Sequence, residues 1–176
     1  MFVVMSDSHS DRGIVEDIKN RYWTKASAIF HCGDSELPSS DPIWHGLTVV
    51  AGNCDYDEGY KNYQLCKVEG KKILITHGHL YGVGLGLDRL SYFAEQEEAD
   101  VTLFGHIHRP VVELIGRRLF INPGSVSKPR GEWNIKMYAL VEVFTDKAHT
   151  RYKISYRDRK HRKIPKLQFV KEFVND

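Results

Sequence analysis

No apolar run in the 176 residues approaches the ~20 needed to cross a bilayer, so a membrane-spanning helix is not expected. Cysteine is scarce: Cys32, Cys54 and Cys66 are odd in number and form no Cys-x-x-Cys pair. That argues against a disulfide frame or a thiolate zinc site, and it suits reduced thiols in a cytoplasmic protein. No basic region precedes Phe2–Met5, and no small-residue cleavage site comes after it. The run leads straight into Ser6-Asp7, so a secretory signal peptide is not expected. Repeats, low-complexity segments and a convincing linker are also lacking. Residues 1–176 are therefore read as one domain.

What is present is an ordinary globular composition, 41% apolar and 27% charged, enough to bury a core. The charge is unevenly placed. Residues 151–176 carry 9 of the 25 basic and 3 of the 23 acidic residues, a local net of +6. The first 150 then hold 16 basic and 20 acidic groups, a net of −4. An acidic body favours cations in its clefts, while a basic end could favour nucleic acid. The plainer reading is a solvated strand end and tail over about 151–176, containing Arg157, Arg159, Lys160, Arg162 and Lys163.

Short apolar runs alternate with turn signals. Phe2–Met5, Ala28–His31, Thr48–Ala51, Gln64–Val68, Lys71–Thr76 and Val101–Phe104 read as strands. Ile14, Ile18 and Tyr22 recur at helical spacing, giving a helix over about 14–24; Leu87, Leu90, Phe93 and Ala94 mark a second. After Gly105 the pattern becomes a meander of strands at Val111–Ile115, Leu119–Ile121, Met137–Phe144 and Tyr152–Tyr156. An α/β first half and an antiparallel second half are reconciled by two sheets inside and helices outside.

The early strands are most informative at their carboxyl ends, which run into Asp7-Ser8-His9, Gly33-Asp34, Gly52-Asn53-Cys54-Asp55, His77-Gly78-His79, and Gly105-His106-Ile107-His108. Sites in α/β sheets form beyond the carboxyl ends of strands. Residues two apart on an extended stretch point the same way, so each pair can address one cleft. The candidate ligands are Asp7, His9, Asp34, Asn53, His77, His106 and His108. Imidazole with carboxylate suits Mn, Fe, Co, Ni or Zn, with manganese the leading choice. Seven ligands exceed what one tetrahedral ion needs. Two divalent ions ~3.5–4 Å apart, sharing a carboxylate and holding the attacking water, fit better.

Each residue alone has a plainer reading. Asp7 could cap a helix, Asn53 could serve a turn, and His77 or His106 could be hydrogen-bonded core histidines. Five strand ends presenting metal-type residues together are hard to obtain from packing alone.

In this order the series Asp7-x-His9, Gly33-Asp34, Gly52-Asn53-x-Asp55, His77 and Gly105-His106-x-His108 resembles the calcineurin-like metallophosphoesterase family. The short length and the Gly52-Asn53-Cys54-Asp55 form resemble its small bacterial and archaeal phosphodiesterase branch. The resemblance covers about residues 1–127. It implies a four-layer αββα sandwich of two mixed sheets flanked by helices. It further implies Asp7, His9 and His108 on one metal, Asn53, His77 and His106 on the other, and Asp34 bridging. The segment holding Asn122 and Ser125 matches one near the phosphate in that branch, its plainer reading being a turn.

In larger members a His after the ligand Asn protonates the leaving oxygen; here Cys54 stands there, a poorer donor near neutrality. His79 is the alternative donor or substrate-orienting group, and Asp55 is expected to orient Asn53 or a ligand His. The expected activity is hydrolysis of a small phosphodiester. Two alternatives stand beside it. One is a protein-binding scaffold, since the resemblance also covers a retromer subunit of this fold. The other is a nuclease or RNA-processing enzyme. A homodimer is compatible with the sequence, which singles out no surface for it.

Overall fold

The computed structural model describes residues 1–175. Two mixed sheets stack face to face. The first runs β11-β10-β9-β1-β2-β3, where β1 is Phe2–Met5, β2 Ala28–His31, β3 Thr48–Val49, β9 Met137–Thr145, β10 His149–Asp158 and β11 Lys163–Val174. The second runs β4-β5-β6-β8-β7, with β4 Tyr63–Val68, β5 Lys71–Thr76, β6 Val101–Leu103, β7 Pro110–Ile115 and β8 Arg118–Pro123. Strands β1, β2 and β3 are parallel, as are β5, β6 and β8; the remaining pairings are antiparallel.

Pleating explains the layers. Phe2 and Val4 face inward and pack between the sheets with Phe30, Ile73, Ile75, Leu103 and Ile121. Val3 and Met5 face outward and meet Ile14, Val15, Ile18 and Tyr22 of helix α1, Arg12–Tyr22. On the other flank Leu74 and Phe120 meet Leu90 and Ala94 of helix α2, Asp88–Gln96. Strands covered on both faces read as unbroken apolar runs, which is why Phe2–Met5 shows no polar alternation. Each large side chain sealed in these layers is worth about 1.5–3 kcal/mol. The order is helix, sheet, sheet, helix, as the resemblance implies.

Most strands shift by one to three residues at one or both ends from expectation, and two differences matter for the site and the tail. Helix α1 starts at Arg12, because the Asp11 carboxylate accepts the Ile14 N–H at 3.2 Å and caps it. The C-terminal tail is also a correction: residues 163–174 form the twelve-residue strand β11, paired along β10 with a bulge between Ser155 and Arg157. Ile164 and Leu167 are buried there. Several of its cations are paired, Arg151 with Glu172, Arg159 with Asp11 and Arg162 with Asp158. The basic run is mostly strand and turn, with less free charge than its composition suggests. Asp176 lies outside the described residues.

Candidate metal centre

The parallel strands of both sheets deliver their carboxyl ends to one edge. The backbone there is strained: Asp7, His9, Asp34, His106 and His108 have φ of 56°, 46°, 53°, 72° and 57°. Left-handed non-glycine residues cost about 1–3 kcal/mol each and persist only where surroundings impose them, which concentrates them at functional sites. Five of seven predicted ligands adopting it is a signature of chemistry over folding economy. Two glycines make the convergence sterically feasible. A Cβ on Gly52 would stand 2.0 Å from Asp34 Oδ1, and one on Gly105 would stand 2.1 Å from Ser6 Oγ and 2.8 Å from Asp7 Oδ2.

The first cluster joins Asp7, His9, Asp34 and His108, each with a ligand atom within 4.8 Å of the others. His108 Nδ1 donates to the Lys128 carbonyl at 2.6 Å, and His9 Nδ1 donates to the Glu36 carboxylate at 2.6 Å. With the outer nitrogens turned to these acceptors, the two inner Nε2 atoms face each other at 3.3 Å and can present their lone pairs to a shared ion. Asp7 Oδ1 lies 3.0 Å from His108 Nε2, is fully buried, and has no hydrogen-bond partner among the described residues. Two facing lone pairs and an orphaned carboxylate oxygen repel unless a cation sits among them. The donor set therefore fits a transition-metal ion.

The second cluster is built on Asn53. Its Oδ1 lies 3.2 Å from His77 Nε2 and 2.9 Å from His106 Nδ1. His77 Nδ1 donates to the Cys32 carbonyl at 2.7 Å, which turns Nε2 inward, 3.5 Å from Asp34 Oδ1. Asp34 thus reaches both clusters. Burial opposes ionisation of Asp34, but the His77 contact and the Cys54 N–H at 2.8 Å outweigh it and hold the carboxyl well below its usual range. Burial likewise opposes a charge on His77, yet Asp34 and Asp7 push its pKa up. Burial and the neighbouring His77 lower the pKa of His106.

The remaining predicted residues have defined places. His79 heads a 3₁₀ turn, His79–Tyr81, with its ring centroid 5.3 Å from that of His77 and 6.2 Å from that of His106. Its buried Nδ1 lacks a partner among the described residues, and burial lowers its pKa. Among the described residues Asp55 makes no hydrogen bond to the Asn53 side chain or to a candidate ligand His; it acts on the loops that carry them. Its carboxylate accepts Ser35 N–H, Ser35 Oγ–H, Glu36 N–H and Gly52 N–H at 2.7–3.3 Å, stapling the Asp34 loop to the Asn53 loop. Asn122 and Ser125 are fully buried and committed. Asn122 bonds Gly105 O and Gly124 N, while Ser125 bonds Asp7 O, Ser127 N and Lys128 N. They hold the ligand loops and offer no free atom to a phosphate. Burial and the Asp34 carboxylate push the Cys54 thiol up to about 11.

Sequence reasoning missed Glu36, the carboxylate that fixes the His9 ring and also accepts Ser10 Oγ–H at 3.0 Å. It also missed His31, which is fully buried. Burial pushes its pKa down to about 4, so the ring is neutral. Its Nδ1 accepts Gly33 N–H at 3.2 Å, so Nε2 donates to Ser8 Oγ at 2.9 Å, between Asp7 and His9. The only sequence signal was position: a His at the end of a strand leading into Gly33-Asp34.

Comparison with known proteins agrees with this geometry. The model of the calcineurin-like phosphoesterase superfamily domain matches residues 1–146. The probable metallophosphoesterase YsnB of Bacillus subtilis is 37% identical over 150 residues, 85% of this chain and 88% of that protein. The phosphodiesterase YfcE of Escherichia coli is 35% identical over 97 residues, 51% of this chain and 49% of that protein. A crystal structure of an uncharacterized predicted phosphoesterase from Streptococcus pneumoniae superposes with a TM-score of 0.90 and 42% identity, covering 99% of this chain and 97% of that one. With its strand ends converging on two imidazole-rich clusters that share an aspartate, the chain belongs to the calcineurin-like phosphoesterase superfamily.

Proposed function

We propose that this protein is a phosphodiesterase working with two divalent ions. Asp7, His9 and His108 would hold one ion, Asn53, His77 and His106 the other, and Asp34 would bridge them. The observation that carries this is Asp34, which lies in the first cluster while its Oδ1 stands 3.5 Å from His77 of the second. Two such ions polarise a phosphoryl oxygen and bring the pKa of a water toward ~7. Glu36 and the carbonyls of Lys128 and Cys32 fix the rings of His9, His108 and His77, so the donor atoms need no reorganisation. His79, beside the second cluster, orients the substrate or protonates the leaving oxygen. The small diester substrate is supported by the likeness to YfcE, named a phosphodiesterase, and by Cys54 in place of a stronger acid. A protein-binding scaffold would have no use for five strained ligand backbones or for an orphaned Asp7 oxygen.

The test is to strip the protein with chelator and supply Mn, Ni, Fe, Co, Zn or Mg while assaying an aryl phosphodiester beside the matching monoester. Diester cleavage restored by Mn or Ni, two ions bound per chain, and a loss on the order of 10³-fold in Asp34→Asn are expected. Full activity in Asp34→Asn would overturn the bridging role. No activity with any metal in folded protein would favour the scaffold.

A further inference from the structure

A pocket lies beside the segment that carries His108. It has a volume of about 320 Å³ and is lined by Ile107 and Arg109, which flank His108, and by Arg130, Glu132 and Trp133 among others. It is tied to the metal centre through backbone. Arg130 N–H donates to the His108 carbonyl at 3.1 Å, two residues after the Lys128 carbonyl that holds the His108 ring. Gly131 turns between them with φ +79°, and a Cβ there would stand 2.7 Å from Arg109 Cδ. Only glycine lets the Arg109 stem lie flat across this turn. Trp133 is half-buried against the inter-sheet core and gives the pocket a fixed aromatic wall.

The charges here are unspent. Among the described residues neither the Arg109 nor the Arg130 guanidinium makes an ion pair or hydrogen bond, and Glu132 on the rim bonds neither. Two exposed guanidiniums without a protein partner among the described residues line one pocket, in a chain whose first 150 residues carry a net charge of −4. Like charges facing one cavity repel, and a phosphate bound by two planar forks relieves that repulsion with directional hydrogen bonds. We propose that this pocket binds a second phosphate of the substrate, so that the enzyme prefers phosphodiesters bearing another phosphate near the scissile one. The inference rests on the phosphodiesterase reading above. Arg109 and Arg130 would be the specificity residues, and Trp133 would meet the adjoining sugar or base.

Two measurements separate this inference from the reading beneath it. In metal-loaded protein, KM is compared for a thymidine dinucleotide with and without a terminal 5′ phosphate. The phosphate should lower KM about tenfold, and Arg109→Gln/Arg130→Gln should erase that ratio, with Arg109→Lys/Arg130→Lys restoring part of it. A ratio preserved in the Gln variant would overturn the proposal. In chelator-treated protein, inorganic pyrophosphate is titrated while the Trp133 indole resonance is followed. A saturable shift in the native protein, lost in the Gln variant, supports the pocket; an unmoved resonance refutes it. If the native protein cleaves neither dinucleotide nor the aryl phosphodiester, the phosphodiesterase reading fails, and the titration alone decides whether the pocket takes phosphate.

Discussion

The two ligand clusters are built from different electrostatics. Asp7, His9, Asp34 and His108 bring two carboxylates, and Asp7, Asp34 and His108 are at most 3% exposed. Asn53, His77 and His106 bring no carboxylate of their own and borrow Asp34; Asn53 is exposed and His106 half-exposed. Attraction for a cation grows with ligand charge and with a dry surrounding. The first cluster is therefore the deeper well, while the second depends on one shared oxygen and on the neutral amide of Asn53. On the two-ion reading proposed above, the first cluster would keep its ion and the second would exchange it.

Removing one ligand from each cluster gives the largest effects and tests the asymmetry directly. Asp7→Ala should lower turnover on the order of 10³-fold and should not be rescued by added metal, because a buried charge and a ligand go together. Asn53→Ala should lose its ion on dialysis, retaining about one per chain by elemental analysis, yet recover part of its activity as Mn or Ni is raised. Equal metal content in the two variants would show that the clusters are alike and that the charge argument fails.

A finer test touches no ligand. Glu36→Gln keeps a hydrogen-bond acceptor for His9 Nδ1 but removes the charge that makes the ring a better donor. Affinity should fall roughly 10–100-fold in the first cluster alone. Competition with a chromophoric chelator reads this, the tighter of two phases weakening while the weaker stays in place. Weakening of both phases would mean that Glu36 acts on the whole centre.

The asymmetry was only half legible in the sequence. The seven candidate ligands announce themselves because each sits just beyond a short apolar strand, and a strand end is a local feature. Glu36 does not, because its bond to His9 crosses 27 residues and depends on Glu36 itself adopting φ 55°. Asp55 was visible as part of a motif, but the loop it would hold was not. Its three bonds to the neighbouring loop exist only once the first sheet has brought Gly33-Asp34 beside Gly52-Asn53. Strand β11 was hidden for another reason. Pro165 and Lys166 interrupt the period-two pattern between Ile164 and Leu167, and the density of Lys and Arg reads as solvation until β10 supplies a partner.

That C-terminal hairpin gives the smallest prediction and sets a limit on the centre's reach. Tyr22 of α1, Tyr138 of β9, His161 in the β10–β11 turn and Asp17 of α1 form one chain of hydrogen bonds at 2.9, 2.8 and 2.9 Å. The chain latches the hairpin to α1, and none of its members is a candidate ligand. Tyr138→Phe leaves the shape unchanged but strips the buried Tyr22 hydroxyl and His161 Nδ1 of their shared partner. Urea unfolding should show a loss of about 1–2 kcal/mol, since a stranded buried hydroxyl costs more than an exchanged one. Bound metal and KM should hold at native values, because the ligand loops are fixed by Asp55, Ser125 and His31. If metal is lost together with stability, the hairpin is part of the site's support, and the separation between a strained catalytic edge and an ordinary folded remainder does not hold.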